Sequence, residues 1–185
     1  MSTRSSLDNI STIQNRKIFF DANVLIYIFW PTHQHPWEEE YSNYFSHIIK
    51  NQGIYNCDMV TDFIVISEIC NRIIRIEHEK FLQNGNLSKE NLPFKTFRNN
   101  KEGKDTLEEI YAIIKNKILR NFTIIGKAFL KEDIEKCLHI DSLDFCDKAI
   151  SQLCEDNNCI LLTNDIDFAS SDLDILSSNP RILSN

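Results

Sequence analysis

Two short apolar runs, each ending in an acid, constrain this chain more than any other feature. Ile18-Phe19-Phe20 stops at Asp21, and Cys159-Ile160-Leu161-Leu162 passes through Thr163 and Asn164 into Asp165. Runs of this length without polar alternation read as strands buried on both faces. Helical spacing fills the chain between them. Residues 37–50 place Trp37, Tyr41, Tyr44, Phe45, Ile48 and Ile49 on one face, with Gly53 as a stop. A long helix over 62–83, capped by Thr61, takes Phe63, Ile66, Ile69, Ile73, Ile74 and Ile76 as its buried side. Further helices are predicted over 105–121, 131–139 and, capped by Ser142, 143–156. Residues 54–60, 122–125 and 174–176 supply the other strands. Strands alternating with helices predict an α/β fold on a parallel sheet.

A chain of 185 residues is enough for one domain with a sizeable core. Residues 17–185 read as that single domain, and 1–16 as a polar, mobile lead-in. Segment 84–104 is polar and carries Gly85, Pro93 and Gly103, so it reads as an irregular surface insertion. No apolar run is long enough to span a bilayer, and residues 1–16 lack the apolar stretch of a signal peptide. A cytoplasmic protein with no membrane partner is the expectation. The six cysteines form no C-x-x-C pair, so a zinc knuckle is not indicated. They are expected to be small buried hydrophobes. His33 and His35 flank a loop after Pro31, where a surface role outweighs a metal role.

Net charge is −7, against the usual sign for a nucleic-acid binder. The distribution is uneven. Segment 89–131 holds ten Lys/Arg and five acids, and the rest of the chain is correspondingly more acidic. Lys95, Arg98, Lys101 and Lys104 are therefore candidate phosphate contacts, although a solvated Lys-rich helix surface explains them equally well.

Four segments place a carboxylate where a core element ends or turns inward. Asp21 follows a buried strand, at the end where ligands gather in parallel sheets, and it would also cap the helix starting at Ala22. Glu68 sits among apolar residues in mid-helix, where a buried carboxylate needs a cation or a network. It could instead pair with Arg72 at i,i+4. Asp144 and Asp147 lie one turn apart near a helix start, so their charges conflict unless a cation joins them. Ordinary helix-start acids are the alternative. Asp165 ends the second buried strand, with Asp167 beside it, in a stretch that would also make a turn.

The run Phe20-Asp21-Ala22-Asn23-Val24-Leu25-Ile26 resembles the opening of PIN-domain ribonucleases, a family that includes many toxins of bacterial toxin–antitoxin pairs. Ser67-Glu68 with its apolar helix resembles the second motif of that family. Asp147-Lys148-Ala149-Ile150 and Leu162-Thr163-Asn164-Asp165 with Phe168 resemble the third and fourth. The likeness covers about residues 17–180. It implies a roughly five-stranded parallel sheet flanked by helices, a three-layer sandwich. It also implies Mg²⁺ or Mn²⁺ at Asp21, Glu68, Asp147 and Asp165. Asp144 and Asp167 are extra acids whose role it leaves open, and segment 84–104 is longer than in compact members.

The residues point the same way by their chemistry. Oxygen ligands suit Mg²⁺ or Mn²⁺ rather than zinc. Divalent ions can activate water against a phosphodiester. Asn23, Ser67, Thr163 and Asn164 are candidate hydrogen-bonding supports for the acids, with packing or capping as equal alternatives. The expected activity is endoribonuclease, with RNA as substrate and an antitoxin protein or a second copy as candidate partners. The main alternative is a non-catalytic RNA- or protein-binding module of the same fold. The aromatic stripe Trp30, Trp37, Tyr41, Tyr44 and Phe45 reads first as core, and second as a groove for a partner. A haloacid dehalogenase reading would need a second acid two residues after Asp21, where Asn23 stands.

Overall fold

In a computed structural model, which describes residues 2–32 and 35–184, the two apolar runs lie side by side at the centre of the sheet. His33 lies outside the described residues. Ile18, Phe19 and Phe20 of β2 (Lys17–Phe20) and all of β5 (Cys159–Leu162) are buried. They pair in parallel, with Phe20 opposite Leu162. Contiguous apolar sequence is what a strand covered on both faces requires.

The remaining strands are β1 (Arg4–Ser6), β3 (Asp58–Thr61), β4 (Thr123–Ile124) and β6 (Ile175–Ser177). The six-stranded sheet is parallel throughout, in the order β1-β6-β5-β2-β3-β4. Its helices are α1 (Ala22–Phe29), α2 (Trp37–Tyr55), α3 (Phe63–Asn84), α4 (Phe94–Asn99), α5 (Lys101–Ile113), α6 (Leu119–Asn121), α7 (Lys131–Cys137), α8 (Phe145–Asp156) and α9 (Pro180–Leu183). A π-helical turn, Ile114–Ile118, joins α5 to α6, and a 3₁₀ turn, Ile166–Ser170, follows β5. The expected α/β sandwich is present, with one strand more than expected.

That extra strand comes from the first sixteen residues. The described residues 2–16 are not a bare polar lead-in: they carry β1 and a 3₁₀ turn, Ile10–Ile13. The Arg4 guanidinium donates to the carbonyls of Ala169, Ser171 and Leu173, and Ile175 N–H donates to Thr3 O at 2.9 Å. Ile13 in the following 3₁₀ turn is fully buried. A polar strand is stable here because it lies at the sheet edge and a side chain satisfies three neighbouring carbonyls.

Segment 84–104 is irregular over 85–93; the rest is helical but for Asn100, between α4 and α5. Pro93 leads into α4, and the Asn100 side chain accepts from Gly103 N–H at 2.9 Å to start α5. Gly103, read as a loop marker, is a helical contact point. A Cβ there would stand 2.1 Å from Phe97 O and 2.7 Å from Arg98 Cα. Gly103→Ala should therefore destabilise the fold by about 1–2 kcal/mol, because overpacking outweighs the helix-propensity gain. Urea unfolding of the two proteins measures it, and a gain in stability would show that α4 moves aside freely.

Smaller corrections have local causes. α2 runs through Gly53 to Tyr55 and ends at Asn56, which takes the left-handed conformation (φ 47°) expected of a C-cap Asn. Asp62, not Thr61, caps α3 by accepting from Val65 N–H at 2.8 Å, because Thr61 is the last residue of β3. Asp144, not Ser142, caps α8. Phe63, at the exposed first turn of α3, is 77% exposed rather than buried. Cys57, Cys137, Cys154 and Cys159 are buried, Cys70 is partly so and Cys146 is exposed.

Candidate active site

β2 has β5 on one side and β3 on the other, so the chain leaves its neighbours in opposite directions around it. In open parallel sheets a crevice forms at the carboxyl ends of such strands. Asp21 stands there as the N-cap of α1, 5% exposed. Its Oδ1 accepts from Ala22 N–H at 2.6 Å. Its Oδ2 accepts from Thr163 Oγ1 at 2.6 Å and Asn23 Nδ2 at 2.7 Å. Thr163 Oγ1 in turn accepts from Asp165 N–H at 2.9 Å, and Asn23 Oδ1 accepts from Asn164 N–H at 3.2 Å. Asn23 and Thr163 are both buried. Three of the four expected supports thus tie the end of β2 to the end of β5. Ser67 joins none of these bonds.

Burial pushes the Asp21 carboxyl up to about 6, and the charges of Glu68 and Asp165 add to the rise. The bonds from Thr163 and Ala22 oppose it. Burial also lifts Asp147, to about 7, with Asp144, then Asp21 and Asp165, adding to it. The charges of Glu68 and Asp165 thus reach Asp21, and those of Asp21 and Asp165 reach Asp147, across separate segments of the chain.

The individual settings differ. Asp144 caps α8 by accepting from Asp147 N–H at 2.9 Å, while Asp147 Oδ2 accepts from Asp144 N–H at 3.4 Å. Asp144 therefore has a capping role that accounts for it. Glu68 is partly exposed and paired with Arg72 at 3.0 Å, the plain salt-bridge alternative, yet its charge still reaches Asp21. Asp167 is exposed, and its N–H donates to Asp165 Oδ1 at 3.1 Å. It is not among the groups that chiefly act on Asp21 or Asp147. Among the described residues, no three Asp, Glu, His or Cys side chains form a ready metal cage. The donor set itself, carboxylates that destabilise one another's charge, fits a hard divalent cation.

Two residues near the site went unread in the sequence. The fully buried Tyr41 hydroxyl donates to Thr163 O at 3.0 Å or Asn164 Oδ1 at 3.2 Å, accepts from Ser178 N–H at 3.1 Å and meets Ser177 Oγ at 3.3 Å. The hydroxyl of a buried Tyr usually finds such partners, and that was its only sequence signal. Asp62 is buried at the end of β3, and burial raises its carboxyl. Tyr41→Phe should cost about 1–3 kcal/mol by orphaning Ser178 N–H and freeing the Thr163–Asp165 loop. Urea melts test this, and an unchanged midpoint would mean the loop holds itself.

Lys95 and Arg98 on α4 and Lys101 and Lys104 on α5 are all exposed, with Lys101 paired to Asp105 at 2.6 Å. α4 packs on the distal part of α3, where Phe97 meets His78 and Phe81. That is ten residues beyond Glu68, or about 15 Å along the helix. The basic cluster is thus not part of the acidic centre.

Sheet order, flanking helices and the acidic crevice define a PIN-like α/β fold. No protein-family model matches the chain, and no curated protein does. Among solved structures it is similar to a chain of VapBC2 from Rickettsia felis, bound to a DNA fragment from their promoter. The TM-score is 0.51 at 14% identity, covering 88% of this chain and 99% of that chain. At that identity the likeness concerns the fold. No described helix is long and apolar enough to cross a membrane.

Proposed function

We propose that this protein is a metal-dependent endoribonuclease that hydrolyses RNA phosphodiester bonds. The supporting observation is the charge conflict at the sheet's carboxyl edge, where burial and neighbouring carboxylates hold Asp21 near 6 and Asp147 near 7. Such perturbed pairs in a crevice mark functional sites. Asp21, Glu68, Asp147 and Asp165 would hold Mg²⁺ or Mn²⁺. The ion would supply Lewis acidity and a counter-charge for the phosphate. Thr163 and Asn23 fix the Asp21 carboxylate by donating to one oxygen, which leaves its remaining lone pairs directed by the fold. Asp147, half-open beside Asp21 and Asp165, suits the task of orienting the attacking water.

The test is cleavage of a labelled mixed RNA pool by purified protein with Mg²⁺, Mn²⁺ or EDTA. Cutting that EDTA abolishes is the expected result. Folded, inhibitor-free protein that never cuts would leave the second reading, a PIN-like RNA- or protein-binding module. The Glu68–Arg72 ion pair favours that alternative, since it occupies one of the four acids.

The four basic residues of α4 and α5 are proposed to hold RNA phosphates away from the acidic centre. Replacing Lys95, Arg98, Lys101 and Lys104 by Ala should weaken RNA binding and flatten its salt dependence by a log–log slope of up to about 3. Identical salt series would remove these residues from the interface. By likeness to the VapBC2 structure, we further propose an antitoxin-type protein partner and a homodimer.

A further inference from the structure

We infer that a groove beside the acidic centre, between α2 and the carboxyl ends of β1 and β6, is a nucleobase subsite selective for guanine. This deepens the ribonuclease reading and rests on it for its link to cleavage. The groove encloses about 720 Å³. Glu40, Asn43, Tyr44 and His47 line it from α2. Their spacing of three, four and seven residues puts them on one helix face. Asp8 and Ser178 line it from the strand ends, and Leu7, Ile10 and Leu183 give it apolar walls.

Its polar groups are unmatched in a way that specifies a ligand. Tyr44 is 6% exposed, and its hydroxyl has no partner among the described residues. Ser178 Oγ is likewise shielded and unpartnered. A buried hydroxyl in that state is costly and is expected to find a partner in the functional complex. Burial pushes the Tyr44 phenol far above its usual range, so it stays a hydroxyl donor at neutral pH. One turn before this donor on the same face of α2 stands Glu40, Asp8 lines the groove from beyond the end of β1, and no Lys or Arg lines it. An RNA phosphate is therefore repelled, while a base edge is not.

Guanine is the base whose edge fits. Its N1–H and 2-amino group are adjacent donors that a single carboxylate can accept together, and its O6 beside them accepts from a hydroxyl. Adenine, cytosine and uracil each lack the pair of adjacent donors. A free guanidinium would satisfy the carboxylate but has no acceptor for Tyr44. The groove is also wired to the acidic centre. Tyr41, one turn before Tyr44 on α2, binds Ser178 N–H and Ser177 on the groove side and Thr163 O and Asn164 on the other. β6 lies two strand spacings from β2, about 10 Å, so a base in the groove belongs to a nucleotide close to the scissile phosphate.

Titrating the full-length protein with guanosine, inosine, adenosine and agmatine, followed by NMR, tests the subsite without metal or cleavage. Guanosine should bind, inosine, which lacks the 2-amino group, about 10-fold more weakly, and adenosine weaker still. Tyr44→Phe should bind guanosine less well yet melt no lower than wild type, because the lost hydroxyl had no partner. Glu40→Gln should also lose guanosine binding and should flatten any preference for cutting beside guanosine. Equal binding of all nucleosides, none at all, or stronger binding of agmatine would overturn the subsite. Guanosine binding without cleavage would keep the subsite and sink the nuclease. Cleavage without guanosine binding would do the reverse.

Discussion

Asp147→Asn is expected to cut metal-dependent RNA cleavage by on the order of 10³-fold while making the metal-free protein more stable at pH 8. The two effects share one cause. Wild-type Asp147 at pH 8 is ionised against burial and against Asp144, Asp21 and Asp165. Asparagine keeps an oxygen to accept from Asp144 N–H, so the α8 cap survives, and the repulsion disappears. The gain is of order 1 kcal/mol once solvent screening of this half-exposed group is allowed for. Asp21→Asn should lose cleavage equally but gain less stability. Both of its oxygens accept, Oδ2 from Thr163 and Asn23 and Oδ1 from Ala22 N–H, so an amide nitrogen in either place would face a donor. Cleavage rates and thermal melts of the same preparations decide it. Loss of both activity and stability in Asp147→Asn would mean that the residue is structural.

Divalent cations should stabilise the protein strongly at pH 8 and hardly at pH 5. Asp21 and Asp147 have folded values near 6 and 7, above their unfolded value near 3.8. The folded state therefore binds more protons than the unfolded state between about pH 4 and pH 7. The stability that these two carboxyls contribute to the metal-free protein is fully present below the unfolded value and is lost as pH rises through 6 and 7. For buried Asp21 alone the shift corresponds to about 3 kcal/mol. A bound cation needs the carboxylates ionised, so Mn²⁺ or Mg²⁺ should restore what is lost, by about 2.7 kcal/mol at a concentration 100 times its Kd. Melting temperatures across pH 5–8, with metal and with EDTA, measure both limbs. A metal effect independent of pH would place the cation away from these acids.

The parts of this protein that could be read from its sequence are those whose signals are local. Ile18-Phe19-Phe20 and Cys159–Leu162 announce buried strands because both faces are covered, so no polar residue interrupts them. The long helix of Phe63–Asn84 shows in its own periodicity. Each of the four acids was visible as a carboxylate at the end or inner face of a core element. Arg4, Ser5 and Ser6 carry no such mark. They form a strand only because Ala169, Ser171 and Leu173 present carbonyls to Arg4 from the far end of the chain. Gly103 looked like a loop residue because its reason for being glycine, the Phe97 backbone, lies across a helix junction.

Which acids meet was likewise a matter for the tertiary structure. Strand order sets β2 between β5 and β3, and so brings Asp21 to Thr163 over 142 residues of sequence. Tyr41, plain core in the sequence, became the tie between the Asp165 loop and a groove. Glu68 is paired with Arg72 on its own helix, while its charge reaches Asp21 across the crevice. Residue type and periodicity specify strands, helices and candidate carboxylates because those depend on neighbours a few positions away. Proximity, burial and the raised carboxyls depend on how the chain crosses over, and no local pattern carries that information.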